Sequence, residues 1–175
     1  MKKADAMDRR VFGIIGWKNS GKTTLTERLV SELTARGWRV STVKHAHHAF
    51  DVDREGADSF RHRQAGATEV AIVSGRRWAL MHELRDEAEP TLESILARFS
   101  DADIVLIEGY KRESHQKIET RRLGTGETTP LSKNDPNVVA VAADHAQPAE
   151  TLPLFDLDDT KSIADFVERM TGLSH

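Results

Sequence analysis

At 175 residues the chain suffices for one α/β domain on a five- or six-stranded sheet and is too short to add a second catalytic domain. Its 25 basic and 28 acidic residues leave a formal charge of −3, which gives no support for binding nucleic acid or a membrane surface through bulk charge. There is no cysteine, which excludes disulfides and thiolate metal sites, and no apolar run approaches the length of a bilayer span. Residues 1–10 are charged, without the apolar core of a signal peptide, so a flexible arm and a cytoplasmic location are expected.

Val11–Gly16 is an apolar run of the kind a buried parallel strand shows. Leu25, Leu29, Val30 and Leu33 follow at helical spacing until Gly37 ends the helix. Residues 38–43 alternate into a second strand, so the start of the chain is a βαβ unit and predicts a parallel sheet. Residues 44–58 are polar, rich in His and Asp, and aperiodic. A short helix is expected over 58–66, closed by Gly66, and the β-prone runs 69–74 and 77–83 flank Ser74-Gly75-Arg76 as a hairpin. An exposed apolar strand pair invites pairing with its own copy, which makes the hairpin the expected dimer contact.

In the second half, residues 90–99 read as a helix with Leu92, Ile95, Leu96 and Phe99 on one face. Residues 103–108 form the most apolar strand, and a polar loop follows over 109–116. Strands are expected over 117–122, Val138–Ala143 and 152–156, with a mobile stretch over 124–136 and a closing helix over 160–170 capped by Asp159 or Thr160.

Residues 16 to 23 read Gly-Trp-Lys-Asn-Ser-Gly-Lys-Thr, a complete G-x-x-x-x-G-K-[ST] match between a strand and a helix. Gly16 and Gly21 permit backbone conformations in which successive N–H groups of Trp17, Lys18, Asn19, Ser20 and Thr24 can turn inward around a phosphate. The helix starting near Lys22 aims its unpaired N–H groups at the same anion. Lys22 is placed to reach the β- and γ-phosphates, and the Thr23 hydroxyl to ligate Mg²⁺. Trp17 and Lys18 are read as exposed at the loop tip. The fold class that follows is α/β: a P-loop NTPase-like three-layer fold, a mostly parallel sheet with flanking helices and a β-hairpin excursion, as one nucleotide-binding domain over 1–175.

A phosphate loop leaves Mg²⁺ underligated, and Glu108 at the carboxyl end of an apolar strand supplies the missing carboxylate, with Gly109 letting the backbone close to the γ-phosphate. Asp103, at the other end of that strand, is a connector. The segment Lys44-His45-Ala46-His47-His48, continuing to Asp53, emerges at the same sheet edge, where open α/β folds bind ligands. Three readings stand there: a switch-like loop in which Asp53 contacts Mg²⁺ through water and His45 or His48 faces substrate, a zinc site, or a solvated loop. Asp58 and Arg61, one turn apart, are expected to pair. Ser132-Lys133-Asn134-Asp135 imitates a guanine-reading N/T-K-x-D turn, but no strand precedes it and Pro136 follows. Asp144, at the end of Val138–Ala143, is the better base-reading carboxylate.

The phosphate loop, the KHxHH segment with Asp53, Asp58-Ser59-Phe60-Arg61 leading to Ala65-Gly66-Ala67, and Ile107-Glu108-Gly109-Tyr110-Lys111 followed by Lys117-Ile118-Glu119 together resemble the molybdopterin-guanine dinucleotide biosynthesis protein B (MobB) family. The resemblance runs from Val11 to about Met170. It implies a small, homodimeric GTP-binding adapter with weak GTPase activity that assists the guanylyltransferase joining GMP to molybdopterin. By position it gives Gly16, Gly21, Lys22 and Thr23 to the phosphates and Glu108 to Mg²⁺. Many members have Lys at the place of Ala57, so no cationic role carries over there. Two rivals remain: a P-loop small-molecule kinase using Asp53 or a histidine as base, and a nickel metallochaperone GTPase using the histidines. No arginine finger and no water-orienting Gln stands out, which predicts slow hydrolysis; Arg61, Arg63, Arg76, Arg77, Arg112, Arg121 and Arg122 are the arginines from which one would come.

Overall fold

A computed structural model describes residues 9–46, 50–125 and 129–174. They divide into two compact units, one of the described residues up to 45 and from 92 onward, the other of those between 46 and 91. His47 and His48 lie outside the described residues, as do the first eight residues and residues 126–128.

The larger unit is a six-stranded sheet flanked by helices. In chain order its elements are β1 (Val11–Gly16), α1 (Lys22–Ala35), β2 (Val40–Lys44), α3 (Leu92–Leu96), β5 (Ile104–Glu108), β6 (Lys117–Arg121), β7 (Val138–Ala143), β8 (Leu154–Asp156) and α4 (Thr160–Thr171). The smaller unit holds α2 (Asp58–Gln64) and the antiparallel hairpin β3 (Glu69–Val73) and β4 (Trp78–His82). The sheet order is β2-β5-β1-β6-β7-β8, and every pairing in it is parallel. This is the α/β, P-loop-like architecture expected, with the hairpin as the excursion from it.

β5 shows why the sheet is fully covered. Its side chains alternate between two cores: Ile104 and Leu106 join Leu25, Leu29 and Leu33 of α1 and Ile163, Phe166 and Val167 of α4, while Val105 and Ile107 join Leu92 and Leu96 of α3. A strand with both faces covered reads as a continuous apolar run, and β5 is buried at every position. Phe166 packs edge-on against Phe12 with centroids 6.4 Å apart. Asp159 caps α4 by accepting from the Ser162 amide at 3.1 Å.

Several boundaries differ from the sequence reading. The helix expected over 90–99 is α3, Leu92–Leu96, because its last turn tightens: the amides of Arg98 and Phe99 bond the carbonyls of Ile95 and Leu96, three residues back, at 3.0 and 3.1 Å. The strand expected over 38–43 runs from Val40, since Trp38 is still tied to the end of α1 through the Leu33 carbonyl at 3.1 Å. Asp103 serves as the expected connector, with Oδ2 taking the Arg39 amide at 2.7 Å and Oδ1 taking Arg39 Nη2 at 2.9 Å. Among the described residues no helix is long and apolar enough to cross a membrane.

One strand carries buried charge. Lys117 on β6 is fully buried, and its ammonium donates to Asp135 Oδ2 at 2.7 Å, to the Lys111 carbonyl at 3.3 Å, and to the Glu113 carbonyl. Asp135 also accepts from the Asn137 amide at 2.9 Å. Burial pushes the Asp135 carboxyl up, but Lys117 and the Asn137 donors outweigh it and hold it below the ordinary range. Residues 131–133 form a single 3-10 turn, so the Ser132–Asp135 imitation of a guanine motif is a structural turn whose carboxylate is committed to Lys117. His115, half-buried beside Lys117, is pushed down to about 4, first by desolvation and then by the lysine charge, and is neutral near pH 7.

Candidate functional site

Parallel register brings the site together at the carboxyl edge of the sheet. β1 ends in Gly16 opposite Thr120 of β6, while on its other side β5 sets Glu108 level with Ile14. Across β5, Lys44 is the register partner of Glu108. Four residues from four strands therefore ring the loop that follows Gly16.

The loop after β1 is tightly turned. A Cβ on Gly16 would meet Ser20 Oγ, and would stand only 2.5 Å from Thr120 Oγ1 and 2.7 Å from its carbonyl oxygen, so no other residue fits. Asn19 takes a φ of 64°, and Gly21, the residue before α1, takes 96°. Left-handed residues at these places make the chain turn tightly, and the Ser20 amide closes the turn on the Trp17 carbonyl at 3.2 Å. No side chain caps α1 and no acidic residue stands in its first turn, which leaves the positive helix end for an anion. The floor is pinned by Ser20 Oγ and Thr120 Oγ1, 2.8 Å apart, and by the Thr120 hydroxyl donating to the Ile15 carbonyl at 3.1 Å.

The side chains expected to serve phosphate and metal do converge. Thr23 Oγ1 donates to Glu108 Oε1 at 2.8 Å, with Glu108 buried. Lys22 Nζ donates to the Trp17 carbonyl at 2.7 Å, across the mouth of the loop. Burial first, then the nearby Lys111 and Lys44 charges, lower the Lys22 pKa, while Glu108 opposes them. Lys111, from the loop after β5, places its ammonium 4.2 Å from the centre of the Trp17 ring. Trp17 is partly exposed and donates through Nε1 to the Thr129 carbonyl at 2.9 Å, so it is anchored as well as displayed. Gly109 has a φ of 94° and a Cβ there would stand 3.1 Å from His45 Cβ, while the His45 amide bonds the Glu108 carbonyl at 2.9 Å. The backbone of the Glu-Gly-Tyr-Lys element is thereby locked to the end of β2. The hard-oxygen pair of Thr23 and Glu108 beside the uncapped start of α1 fits a magnesium–nucleoside phosphate.

Two other expected residues stand differently. Asp53 lies in the smaller unit, where both its oxygens are taken by Arg63: Nη2 to Oδ1 at 2.5 Å and Nε to Oδ2 at 3.2 Å. The Arg63 hydrogen bond, against desolvation, lowers the Asp53 pKa, and the same guanidinium holds Asp51 and Glu83 at 2.8 Å each. Asp144 stands at the end of β7, its Oδ1 accepting from the Leu123 amide and from His145 Nδ1, each at 2.8 Å. These bonds lower its pKa, His145 contributing most. Next to it a cavity of about 280 Å³ is lined by Trp17, Ser20, Thr120, Arg122, His145 and Gln147, among others. Asp58 and Arg61 pair as expected, 3.8 Å apart on an exposed face of α2. Of the arginines, Arg63 and Arg121 are bound to carboxylates within their own units; Arg122 comes beside the loop, its Nη2 3.7 Å from where a Cβ on Gly21 would stand and its Nε 3.7 Å from Asp144 Oδ2. Arg122 is one of the arginines the sequence leaves open for this place, whereas Lys44 is given no role by the sequence.

Residues 11–144 match the model of the family described as molybdopterin guanine dinucleotide synthesis protein B, MobB. The chain belongs to the MobB family. This member is similar to the molybdopterin-guanine dinucleotide biosynthesis adapter proteins of Escherichia coli K12, 41% identical over 90% of each chain, and of Haemophilus influenzae, 41% identical over 90% of this chain and 87% of the relative. In three dimensions it is similar to the crystal structure of Bacillus subtilis MobB, with a TM-score of 0.75, 26% identity, and 94% and 99% of the two chains covered. It is also similar to the MobB homologue of Bacillus stearothermophilus, with a TM-score of 0.70 and 27% identity over 94% and 99% of the two chains. The family match spans the phosphate loop, Glu108 and Asp144.

Proposed function

We propose that this MobB-family chain is a GTP-binding adapter in molybdopterin-guanine dinucleotide synthesis, which binds GTP with Mg²⁺, hydrolyses it slowly, and assists the guanylyltransferase of that pathway as a homodimer. The observation that supports the nucleotide part is the tight turn at Gly16 leading through left-handed Asn19 and Gly21 into the uncapped start of α1, with Thr23 and Glu108 joined at 2.8 Å beside it. The family membership and the names of the relatives carry the pathway. Magnesium, when bound, would supply charge neutralisation to the phosphate oxygens; Thr23 and Glu108 would hold it. Lys22 would turn from the Trp17 carbonyl to the phosphates, and the loop amides would orient them. The cavity lined by Trp17, Thr120 and His145 lies beside the loop and is the place for the base, with Asp144 next to it. An Asp53 contribution to the metal requires its release from Arg63. Slow turnover fits the commitment of Arg63 and Arg121 to carboxylates. The loop over 109–116 has no helix, in keeping with an adapter instead of a kinase lid.

Calorimetric titration with GTP and ATP, with and without Mg²⁺, tests the reading. GTP is expected to bind at least about tenfold tighter than ATP, the discrimination one base-reading carboxylate supplies. Equal affinities remove the guanine assignment, and no binding of either at millimolar concentration removes the nucleotide assignment altogether.

The homodimer is assigned to the hairpin. Val73 and Trp78 are cross-strand partners, 76% and 71% exposed, and Leu80 adjoins them on the same face at 46%. Such a surface on a two-stranded edge invites a second copy. Replacing Val73 and Trp78 by Lys together is expected to convert the dimer to monomer in sedimentation; an unchanged dimer places the contact elsewhere.

A further inference from the structure

The ammonium of Lys44 stands 3.2 Å from Glu108 Oε1 and 3.4 Å from Thr23 Oγ1. Those are the two oxygens that, on the nucleotide reading above, would hold magnesium. The arrangement is built into the sheet, because Lys44 and Glu108 are register partners on neighbouring parallel strands. The two ends of the pair differ: the Glu108 side chain is 8% exposed and that of Lys44 is 58% exposed. A buried carboxylate needs a counter-charge, and a half-exposed ammonium can return to water at little cost.

We infer that Lys44 is the resident counter-cation of the metal site: it neutralises and orients Glu108 without a divalent ion, and Mg²⁺ displaces it on arrival with the nucleotide. The exchange is cation for cation on one oxygen pair. It has two consequences of opposite sign. Lys44 competes with Mg²⁺ for Glu108, so it raises the magnesium concentration that nucleotide binding requires. It also screens Glu108 from the phosphates, so it sustains whatever binding occurs without magnesium. Lys22 donates to the Trp17 carbonyl and Lys111 lies over the Trp17 ring, whereas the Lys44 ammonium stands on Glu108 itself.

The test is the affinity for GTP as a function of free Mg²⁺, from excess chelator to saturation, for wild type, Lys44→Met and Lys44→Arg. In Lys44→Met the Mg²⁺ concentration at half-maximal GTP binding is expected to fall roughly three- to tenfold, while the affinity in chelator falls by a similar factor. Lys44→Arg, which keeps the charge, restores the affinity in chelator. A merely structural lysine does not produce opposite changes in the two arms. Equal weakening of GTP binding with and without Mg²⁺ makes Lys44 an ordinary phosphate ligand and overturns the inference, as do unchanged curves. Wild-type protein that binds no GTP in any arm overturns the nucleotide reading itself, a result distinct from either.

Discussion

Lys22→Ala is expected to weaken triphosphate binding about 30- to 1,000-fold, corresponding to about 2–4 kcal/mol for removal of one charged partner from a desolvated phosphate contact. Thermal unfolding of the ligand-free protein is expected to move by less than about 1 kcal/mol in the same variant. The asymmetry follows from the geometry: among the described residues the Lys22 side chain makes one hydrogen bond, to the Trp17 carbonyl, at an exposed place. Against a polyphosphate it would face several charged oxygens inside the loop. The Lys22 pKa lies below the ordinary lysine value of 10.5, through burial and through the neighbouring Lys111 and Lys44 charges. Raising the pH therefore discharges Lys22 of the free protein earlier than an ordinary lysine, and wild-type affinity is expected to decline on the alkaline side with a lower midpoint than an exposed lysine would give. The same titration on Lys22→Ala lacks that decline. Parallel loss of affinity and of ligand-free stability means that the lysine holds the loop together, and the phosphate role is then rejected.

The largest effect on folding is expected at Lys117. Lys117→Ala should destabilise the protein by about 3–5 kcal/mol, read as a lower urea midpoint, because it leaves Asp135 and two loop carbonyls without their shared donor in a buried place. Asp135→Asn removes the counter-charge of the fully buried Lys117 and is expected to cost a comparable amount. The pH dependence has a definite sign. Asp135 is held below the ordinary carboxyl value of 3.8, so its pairing contributes fully above that value and is lost as the pH falls through the lowered folded value. The gap between wild type and Lys117→Ala is therefore widest near neutrality and narrows in acid. A gap that persists unchanged in acid shows that lost packing, not the ion pair, accounts for the destabilisation. Lys117 has a functional reach as well: it clamps the loop carrying Tyr110 and Lys111, so the variant is expected to loosen the wall beside Trp17.

Much of the site was written in local pattern. The glycines, Lys22 and Thr23 sit at fixed spacing between an apolar strand and an amphipathic helix, and the physics of an anion cradle depends only on that short stretch. Glu108 stands out by the same logic, as a carboxylate closing the most apolar strand, and in the structure it accepts from Thr23 at 2.8 Å. β7 coincides with its expected residues, Val138–Ala143, since a strand covered on both faces announces itself as an unbroken apolar run. Asp53 shows the other side. Nothing near it in sequence signals that Arg63, ten residues on, arrives one helix later to take both its oxygens.

What the chain's order of residues determined alone is the phosphate loop, the two-faced strands and the α/β class, because each depends on contacts within a turn or on the period of a single element. Only the tertiary structure decided that β5 inserts between β2 and β1, and with it that Lys44 stands on Glu108, that Thr120 pins the loop floor, and that a lysine on β6 is buried against Asp135. Parallel strands are joined by long crossovers, so their neighbours and register are set by the packing of the whole sheet and leave no mark in the local periodicity.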